Sequence, residues 1–589
     1  MCGIAGLFSI ESNAPPIDAG ELERLRDAMI ARGPDGEGAW IHPKGRIGLA
    51  HRRLAIIDLN PTGAQPMASA DGRLVVSFNG EIYNYRELRA ELEAKGCRFV
   101  SHSDTEVLLH LYAREGKAML KLLKGMFAFA LWDEAKRGLF LARDAFGIKP
   151  LYIAREPGRI AFASQVKALL TLPWIDKRPE PAGHAGFFLW GHVPEPYTLY
   201  KSIRTLAPGA CLWIDAEGKE RAETWFDPAA AMSTAAKATL PLADALRESV
   251  KRHLEADVPV GLFLSAGRDS ATVAALACEI GEAAQIDALT LGFAELAGSP
   301  ADEVPTARLL ARHLGVRHTV RHIEEEEFHA WRAQILADMD QPSIDGVNSW
   351  LIARMARELG LKVALSGVGG DEMFAGYDTF TQVPALASRL SWAANWPGLG
   401  KAFRRALAPW IGALTSPKAA GLLELGGTLP GAYLLKRGLF MPWELPELIG
   451  QGMAREGLEE LAVLKRLDES LRGLKTARER MAGLEIGNYL KNQLLRDTDW
   501  AGMAHGLEIR TPLVDVALFE NLLPLQASKA DMAATPKRPL PPEILHRKKS
   551  GFSVPVVRWM GETSYRGWAK AVHRAFADGD EGDREERST

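Results

Sequence analysis

A cysteine at position 2 can do chemistry that a cysteine in mid-chain cannot. With Met1 removed, the free α-amine sits on the nucleophile's own residue and serves as its base, the arrangement used by N-terminal threonine nucleophiles. Gly3 follows, and a glycine there lets other backbone come close. A thiol is already partly ionised near neutral pH, and a neighbouring positive charge increases that fraction. The companion residues lie in four short runs: Arg32-Gly33-Pro34-Asp35-Gly36, His51-Arg52-Arg53-Leu54, Asn79-Gly80-Glu81 and Ser103-Asp104. An amino-acid substrate needs a cation for its carboxylate and an anion for its ammonium. Arg53 and the pair Glu81 and Asp104 are of those types. Attack on an amide also needs donors for the tetrahedral oxyanion. The Asn79 side chain and the Gly80 backbone N–H supply them, presented from a turn. Taken singly, each feature has a plainer reading: a buried structural cysteine, a hairpin turn, a surface arginine. The combination carries the inference.

A second constellation suits phosphate. A strand over Val258 to Leu264 ends in Ser265-Ala266-Gly267-Arg268-Asp269-Ser270, where an Ala-rich helix begins. Phosphate needs backbone N–H donors and the positive end of a helix. Small residues let the backbone approach, and Ser265 and Ser270 add hydroxyls. Asp269 repels bare phosphate but suits Mg2+ bridging to phosphate oxygens. Alone, the segment reads equally as a strand-turn-helix with an ordinary cap, and it matches neither GxxxxGK[ST] nor GxGxxG. The logic recurs in Ser366-Gly367-Val368-Gly369-Gly370-Asp371-Glu372 after a strand over Leu361 to Leu365. Two such turns at the C-terminal ends of parallel strands converge on one crevice, so Asp269 and Asp371 are expected to share the metal.

These motifs carry a resemblance. MCGIAG, RGPDG, HRRLAIIDL, FNGEIYNY and RDAFGIKPLY resemble the glutaminase domain of asparagine synthetases, which are class II glutamine amidotransferases. The two acidic turns resemble the SGGxDS and SGxGxDExFxGY segments of the synthetase domain. The likeness continues through Asp340-Gln341-Pro342-Ser343, Arg496-Asp497-Thr498-Asp499, Ala504 to Glu508 and Arg547-Lys548-Lys549-Ser550-Gly551-Phe552, so that it spans nearly the whole chain. It implies that Cys2 is the nucleophile and that Asn79 and Gly80 form the oxyanion hole. Arg53, Asn79, Glu81 and Asp104 would hold glutamine. Leu264, Ser265, Gly267, Asp269, Ser270, Leu291, Ser366 and Gly367 would bind ATP, with Leu291 meeting adenine through backbone groups. Asp269 and Asp371 would hold Mg2+. Lys549, in its basic run, would be the catalytic lysine, neutralising charge on departing pyrophosphate. ATP would be split between its α- and β-phosphates to give an acyl-adenylate, reached by ammonia through an internal tunnel.

The sequence departs from the family pattern at five places: Ala31, Gln165, Ala266, Arg268 and Val368. Gln165 bears on contacts between the domains. Val368 matters most, because many aspartate-specific members carry a glutamate there. A valine neither accepts a proton nor binds a cation. Three readings follow: asparagine synthesis from aspartate; amidation of a different carboxylate, such as a sugar acid, a peptide or a secondary metabolite; or a silent glutamine- or nucleotide-binding module.

The elements that must position these residues fall into two rhythms. Residues 1–225 read as short strands with turns and a few helices, including a hairpin of Phe127 to Trp132 with Gly138 to Ala142. Glu21 to Ile30 and Tyr85 to Lys95 have helical spacing. From 235 to 575, strands alternate with helices, which implies a parallel sheet, and residues 380–480 read as helical. Residues 576–589 are a polar tail. The expected fold class is α/β: an N-terminal Ntn-hydrolase sandwich of antiparallel sheets and a C-terminal ATP-pyrophosphatase-type parallel sheet. The 589 residues require more than one domain. A net charge of -3 argues against nucleic acid or an anionic membrane as partner. Four cysteines in so long a chain form no disulfide framework and point to a reducing, cytoplasmic setting. The stretch Leu390 to Leu414 is broken by charges and prolines and is no membrane span. A homodimer is expected from the resemblance.

Overall fold

The computed structural model describes residues 2–10, 16–234, 237–414, 416–547, 554–562 and 564–585. Twelve strands build the N-terminal part: Gly3–Ser9 (β1), Gly36–Ile41 (β2), Ile47–Arg53 (β3), Met67–Ala68 (β4), Leu74–Ile82 (β5), Gly125–Asp133 (β6), Gly138–Arg143 (β7), Tyr152–Glu156 (β8), Arg159–Ala163 (β9), Ile203–Thr205 (β10), Ala210–Asp215 (β11) and Glu220–Thr224 (β12). They form two six-stranded sheets, ordered β10-β8-β9-β1-β3-β2 and β12-β11-β7-β6-β5-β4. The strand pairs in both are antiparallel.

The sheets stack because their strands are apolar on alternate residues of both faces. Ile4 and Phe8 of β1 meet Val75, Ala128, Ala130 and Trp132 of the facing sheet. Ala5 and Leu7, pointing the other way, pack against Leu22 and Leu25 of the helix Ala19–Asp27. On the far side of the second sheet, Phe78, Phe129 and Phe140 lie under the helices Tyr85–Ala94 and Asp104–Glu115. The result is four layers, helix-sheet-sheet-helix, with β1 buried along its whole length.

The C-terminal part holds a five-stranded, wholly parallel sheet: Val260–Phe263 (β13), Asp287–Phe293 (β14), Arg317–Ile323 (β15), Val363–Leu365 (β16) and Glu508–Arg510 (β17), ordered β15-β14-β13-β16-β17. The chain leaves β13 toward β14 and later returns to β13's other side as β16. That reversal opens a crevice at the strands' C-terminal ends. The region 380–480 is helical as expected, and a π-helix over Glu485–Leu495 follows it. The helix Tyr565–Glu585 carries regular structure into the segment read as a polar tail. No helix among the described residues is long and apolar enough to cross a membrane.

One hydrophobic cluster runs from the N-terminal part into the C-terminal part. The helix Pro181–Trp190, within the N-terminal part, is buried along its whole length and packs against the C-terminal helices Leu445–Ile449 and Gln451–Leu461. A helix with no polar stripe has no face for solvent, and here the C-terminal part covers it.

Candidate active sites

Cys2 precedes β1 and is buried. Its backbone nitrogen donates to Asn79 Oδ1 at 3.0 Å. The Asn79 amide is oriented from its other end, where Nδ2 donates to Ser164 Oγ at 3.5 Å. Ser164 Oγ in turn accepts from the Ile4 N–H at 3.0 Å, tying the asparagine to β1. Burial pushes the Cys2 thiol up, while the Leu54 N–H at its sulfur and the nearby Arg53 act in the opposite direction. Arg53 is held at the end of β3, where Nη1 donates to the Asn60 carbonyl at 2.9 Å and Nη2 to the Asp58 carbonyl.

The expected turn at Asn79-Gly80 is corrected. Both residues lie inside β5, which continues to Ile82 paired with β6. Asn-Gly favours a turn only where neighbouring strands allow one. Here Gly80 is needed for close approach, since a Cβ would meet the Met126 carbonyl oxygen at 2.1 Å. The strand sends Asn79 toward Cys2 and carries Glu81 onward into a buried charged cluster.

Glu81 is buried, and burial together with Glu508 raises its carboxyl well above the ordinary range. Its Oε2 has no hydrogen-bond partner and lies 3.5 Å from Arg510 Nη2, which reaches across from β17. Asp104 opens the helix Asp104–Glu115 and accepts from the Ile82 N–H at 2.9 Å. Burial pushes it up to about 6. The two carboxyls favoured for a substrate ammonium therefore share one buried neighbourhood with Glu508 and Arg510.

The second constellation closes on the crevice of the parallel sheet. The helix after β13 begins at Arg268, earlier than expected, with Gly267 as its cap. Ser265 Oγ lies 2.7 Å from Ser270 Oγ and accepts from the Gly267 N–H at 3.1 Å, which curls the loop tightly. Leu264 is buried beneath it, and its carbonyl accepts from Thr290 Oγ1 at 2.5 Å, beside Leu291 on β14. The Ser366 turn follows β16, and the Ser366 N–H donates to the Arg510 carbonyl at 2.8 Å. Gly367 lies directly against the loop; a Cβ there would meet the Ser270 nitrogen at 2.7 Å.

The structure brings Asp269 and Asp371 to a single point, occupied by Lys529 Nζ, 2.5 Å from Asp269 Oδ2 and in contact with Asp371 Oδ1. Two carboxylates converging on one cation suit a divalent metal. Lys549 lies outside the described residues.

The comparisons with known proteins agree with this division of labour. A glutamine amidotransferase domain model matches residues 1–226, and an asparagine synthase model matches residues 241–576. The chain belongs to the asparagine synthase family. It is 31% identical to glutamine-hydrolysing asparagine synthetase 1 of Bacillus subtilis (strain 168), covering 95% of this chain and 88% of that one. A putative glutamine-hydrolysing asparagine synthetase of Mycobacterium tuberculosis (strain ATCC 25618 / H37Rv) is 33% identical over 97% and 90% of the two chains. A Gibberella zeae protein named amidase chry2 is 31% identical over 67% and 62%. A solved glutamine phosphoribosylpyrophosphate amidotransferase from B. subtilis aligns at 18% identity over 63% of this chain and 76% of that one, with a TM-score of 0.30, too slight a likeness to bear on the site. As a member of the family the chain is an enzyme, with an amidotransferase half and an ATP-dependent synthase half in one polypeptide.

Several residues at these sites escaped the sequence reading. Lys529 sits in an undistinguished Ser-Lys-Ala-Asp run, and nothing local links it to loops 260 and 158 residues away. Arg32 was read only as part of RGPDG. It donates to the Cys2 carbonyl at 3.1 Å and forks onto Asp499 at 2.7 and 3.1 Å, joining the halves of the family fold. Glu303, buried and pushed up to about 7 by burial, accepts from the Ala266 N–H of the phosphate loop. Beyond Asp371, Glu372 is buried and pushed up to about 7 by burial, and accepts from Tyr377 at 2.8 Å. Arg437, which the sequence offered with Lys436 as shaping an acceptor site, lies between the rings of Tyr377 and Tyr489 and pairs with buried Glu485 at 2.9 Å; Glu485 and the two tyrosines were not foreseen. Val368, expected to matter for the acceptor, is half-buried and packs on the main apolar cluster.

Proposed function

We propose that this chain is a glutamine-dependent asparagine synthetase. Glutamine is hydrolysed at Cys2, and its ammonia is passed to an acyl-adenylate made from ATP and aspartate, releasing AMP and pyrophosphate. The observation that carries the reading is the convergence of Asp269 and Asp371 in the sheet crevice, in the same chain that gathers Asn79, Arg53 and Glu81 around Cys2, with Asp104 beside Glu81. The names of the relatives that span most of the chain support it.

At the first site, the Cys2 thiol attacks the side-chain amide carbon of glutamine. Its proton goes to the α-amine freed by loss of Met1 and then to the departing nitrogen, which leaves as ammonia. Water hydrolyses the thioester to glutamate. Arg53 takes the substrate carboxylate, and Glu81 and Asp104 take its ammonium. At the second site, the loop around Ser265, Gly267 and Ser270 presents N–H and hydroxyl donors to phosphate oxygens at the start of a helix. Asp269 and Asp371 would hold Mg2+, which when bound offsets the phosphates' negative charge. The acceptor carboxylate oxygen bonds to the α-phosphorus as the bond to pyrophosphate breaks. Ammonia then displaces AMP from the acyl carbon. Lys549 is the proposed cation for the departing pyrophosphate, and the protein works in the cytoplasm without a nucleic-acid or membrane partner, with a homodimer as its proposed assembly.

Val368 favours a second reading, in which the acceptor is a carboxylate other than aspartate. Purified protein given ATP, Mg2+ and glutamine should release pyrophosphate and form asparagine when aspartate is added. Pyrophosphate release with uronic acids, other amino acids or peptides, and none with aspartate, would replace the first reading by the second. Cys2→Ala should abolish the glutamine-driven product and leave the ammonium-driven product intact.

A further inference from the structure

Asp269 and Asp371 come from turns that follow different strands, yet both carboxylates end on the ammonium of Lys529. The three side chains are between 16% and 18% exposed, so water competes weakly for these contacts. The neighbouring backbone leaves no slack. A Cβ on Gly370 would meet Asp269 Cγ at 2.4 Å, and one on Gly376 would meet Asp371 Oδ1 at 2.1 Å and Lys529 Cε at 2.2 Å. Lys529 itself opens the short helix Lys529–Ala533, which packs on the helix Arg268–Ile280 behind the phosphate loop. The clamp is thus built from three separate segments, each fixed by its own packing.

An ammonium and a divalent metal cannot both use the inner oxygens of these two carboxylates, because like charges in so dry a space repel strongly. Mg2+ is also reluctant to shed water and is held in such sites by one or two carboxylates together with substrate phosphates. A triphosphate changes the balance, since it brings its own metal and offers the ammonium a more negative partner.

We propose that Lys529 is a resident counter-cation that keeps free divalent metal out of the Asp269–Asp371 site until nucleotide arrives. On binding, the triphosphate draws Lys529 Nζ off the carboxylates, and the metal carried by the nucleotide takes its place. Metal entry is thereby made conditional on ATP. This rests on reading the two turns as an ATP site.

The test is Mn2+ binding by the full-length protein, followed by electron paramagnetic resonance, with and without α,β-methylene-ATP. The wild type should hold Mn2+ at this site only with the nucleotide. Lys529→Met without nucleotide should bind one Mn2+ at least tenfold more tightly than the wild type does, and the added Asp371→Asn change should abolish that binding. Equal affinities for nucleotide-free wild type and Lys529→Met would overturn the proposal. Should Lys529→Met fail to fold, the wild type decides alone: tight Mn2+ binding without nucleotide, lost in Asp371→Asn, refutes the counter-cation while leaving the ATP site standing. Absence of bound Mn2+ even with the nucleotide removes the ATP-site reading, and the proposal with it.

Discussion

At the scale of single residues, the carboxyls proposed to recognise glutamine are ones that the fold makes reluctant to ionise. Burial pushes Asp104 up to about 6, above its ordinary value. A protonated carboxyl offers no charge to an ammonium, so Asp104's share of recognition is present above that value and is lost as pH falls through it. The expected result is that kcat/KM for glutamine drops by about tenfold per pH unit below 6, since that parameter reports ionisations of the free enzyme. Ammonium-driven synthesis bypasses Asp104 and should not show this limb. Steady-state assays with each nitrogen source between pH 5 and 8 check it, and a shared acid limb would remove Asp104 from the glutamine site. That Cys2, Arg53, Asn79 and Glu81 would come together, with Asp104 beside Glu81, was legible because these residues stand in short runs of sequence. Lys529 was not, because its meaning exists only where three distant segments meet.

At the scale of elements, strands and helices were legible where one period dominated. The hairpin of β6 and β7, the strands β13, β14 and β16 and the helices after β13 and β14 stand within a few residues of where the sequence put them. Asn79-Gly80 was misread because a dipeptide's turn preference is local, whereas β5 is decided by β6 beside it and by burial along all nine residues. The glycine is there for the strand contact, which yields a prediction. Gly80→Ala forces a methyl against the Met126 carbonyl oxygen and the Phe127 Cα. Overpacking of this kind costs about 1–3 kcal/mol, and the strain falls on the strand that aims Asn79 at Cys2. Thermal denaturation should show a lowered midpoint, and glutamine hydrolysis should fall by more than tenfold. Ammonium-driven synthesis by the folded fraction should be nearly unchanged. A variant with normal glutaminase activity would mean that β5 tolerates the displacement and that Gly80 has no part in placing the nucleophile. The region 380–480 was legible as helical and Arg437 stood out in it, but its partners Glu485, Tyr377 and Tyr489 were not legible, since they lie outside that region, two of them on the π-helix.

At the scale of the whole molecule, the two sites are joined by buried charge as well as by apolar packing. Arg32 holds the Cys2 carbonyl with Nε and spends both terminal nitrogens on Asp499, whose helix Arg496–Met503 leads into β17. From β17, the Arg510 side chain faces Glu81 while its carbonyl receives the Ser366 N–H of the second acidic turn. A continuous set of contacts therefore runs from the Cys2 backbone to the edge of the parallel-sheet crevice. Removing one partner of a buried ion pair typically costs about 3–5 kcal/mol, because the other charge is left uncompensated. Asp499→Asn keeps the shape and one acceptor but loses the charge, so its cost should lie below that range and the protein should fold. Arg32 would then be free to shift, and Cys2 with it, relative to the synthase half. The expected consequence is wasted ammonia: glutamate formed should exceed amide product severalfold, against near equality in the wild type. The rate with saturating ammonium should hardly change. Parallel quantification of glutamate and amide product during turnover gives the ratio directly. A ratio that stays near one would show that Arg32 and Asp499 merely fasten the halves together, and that the alignment of the two sites is carried by the apolar core around the helix Pro181–Trp190.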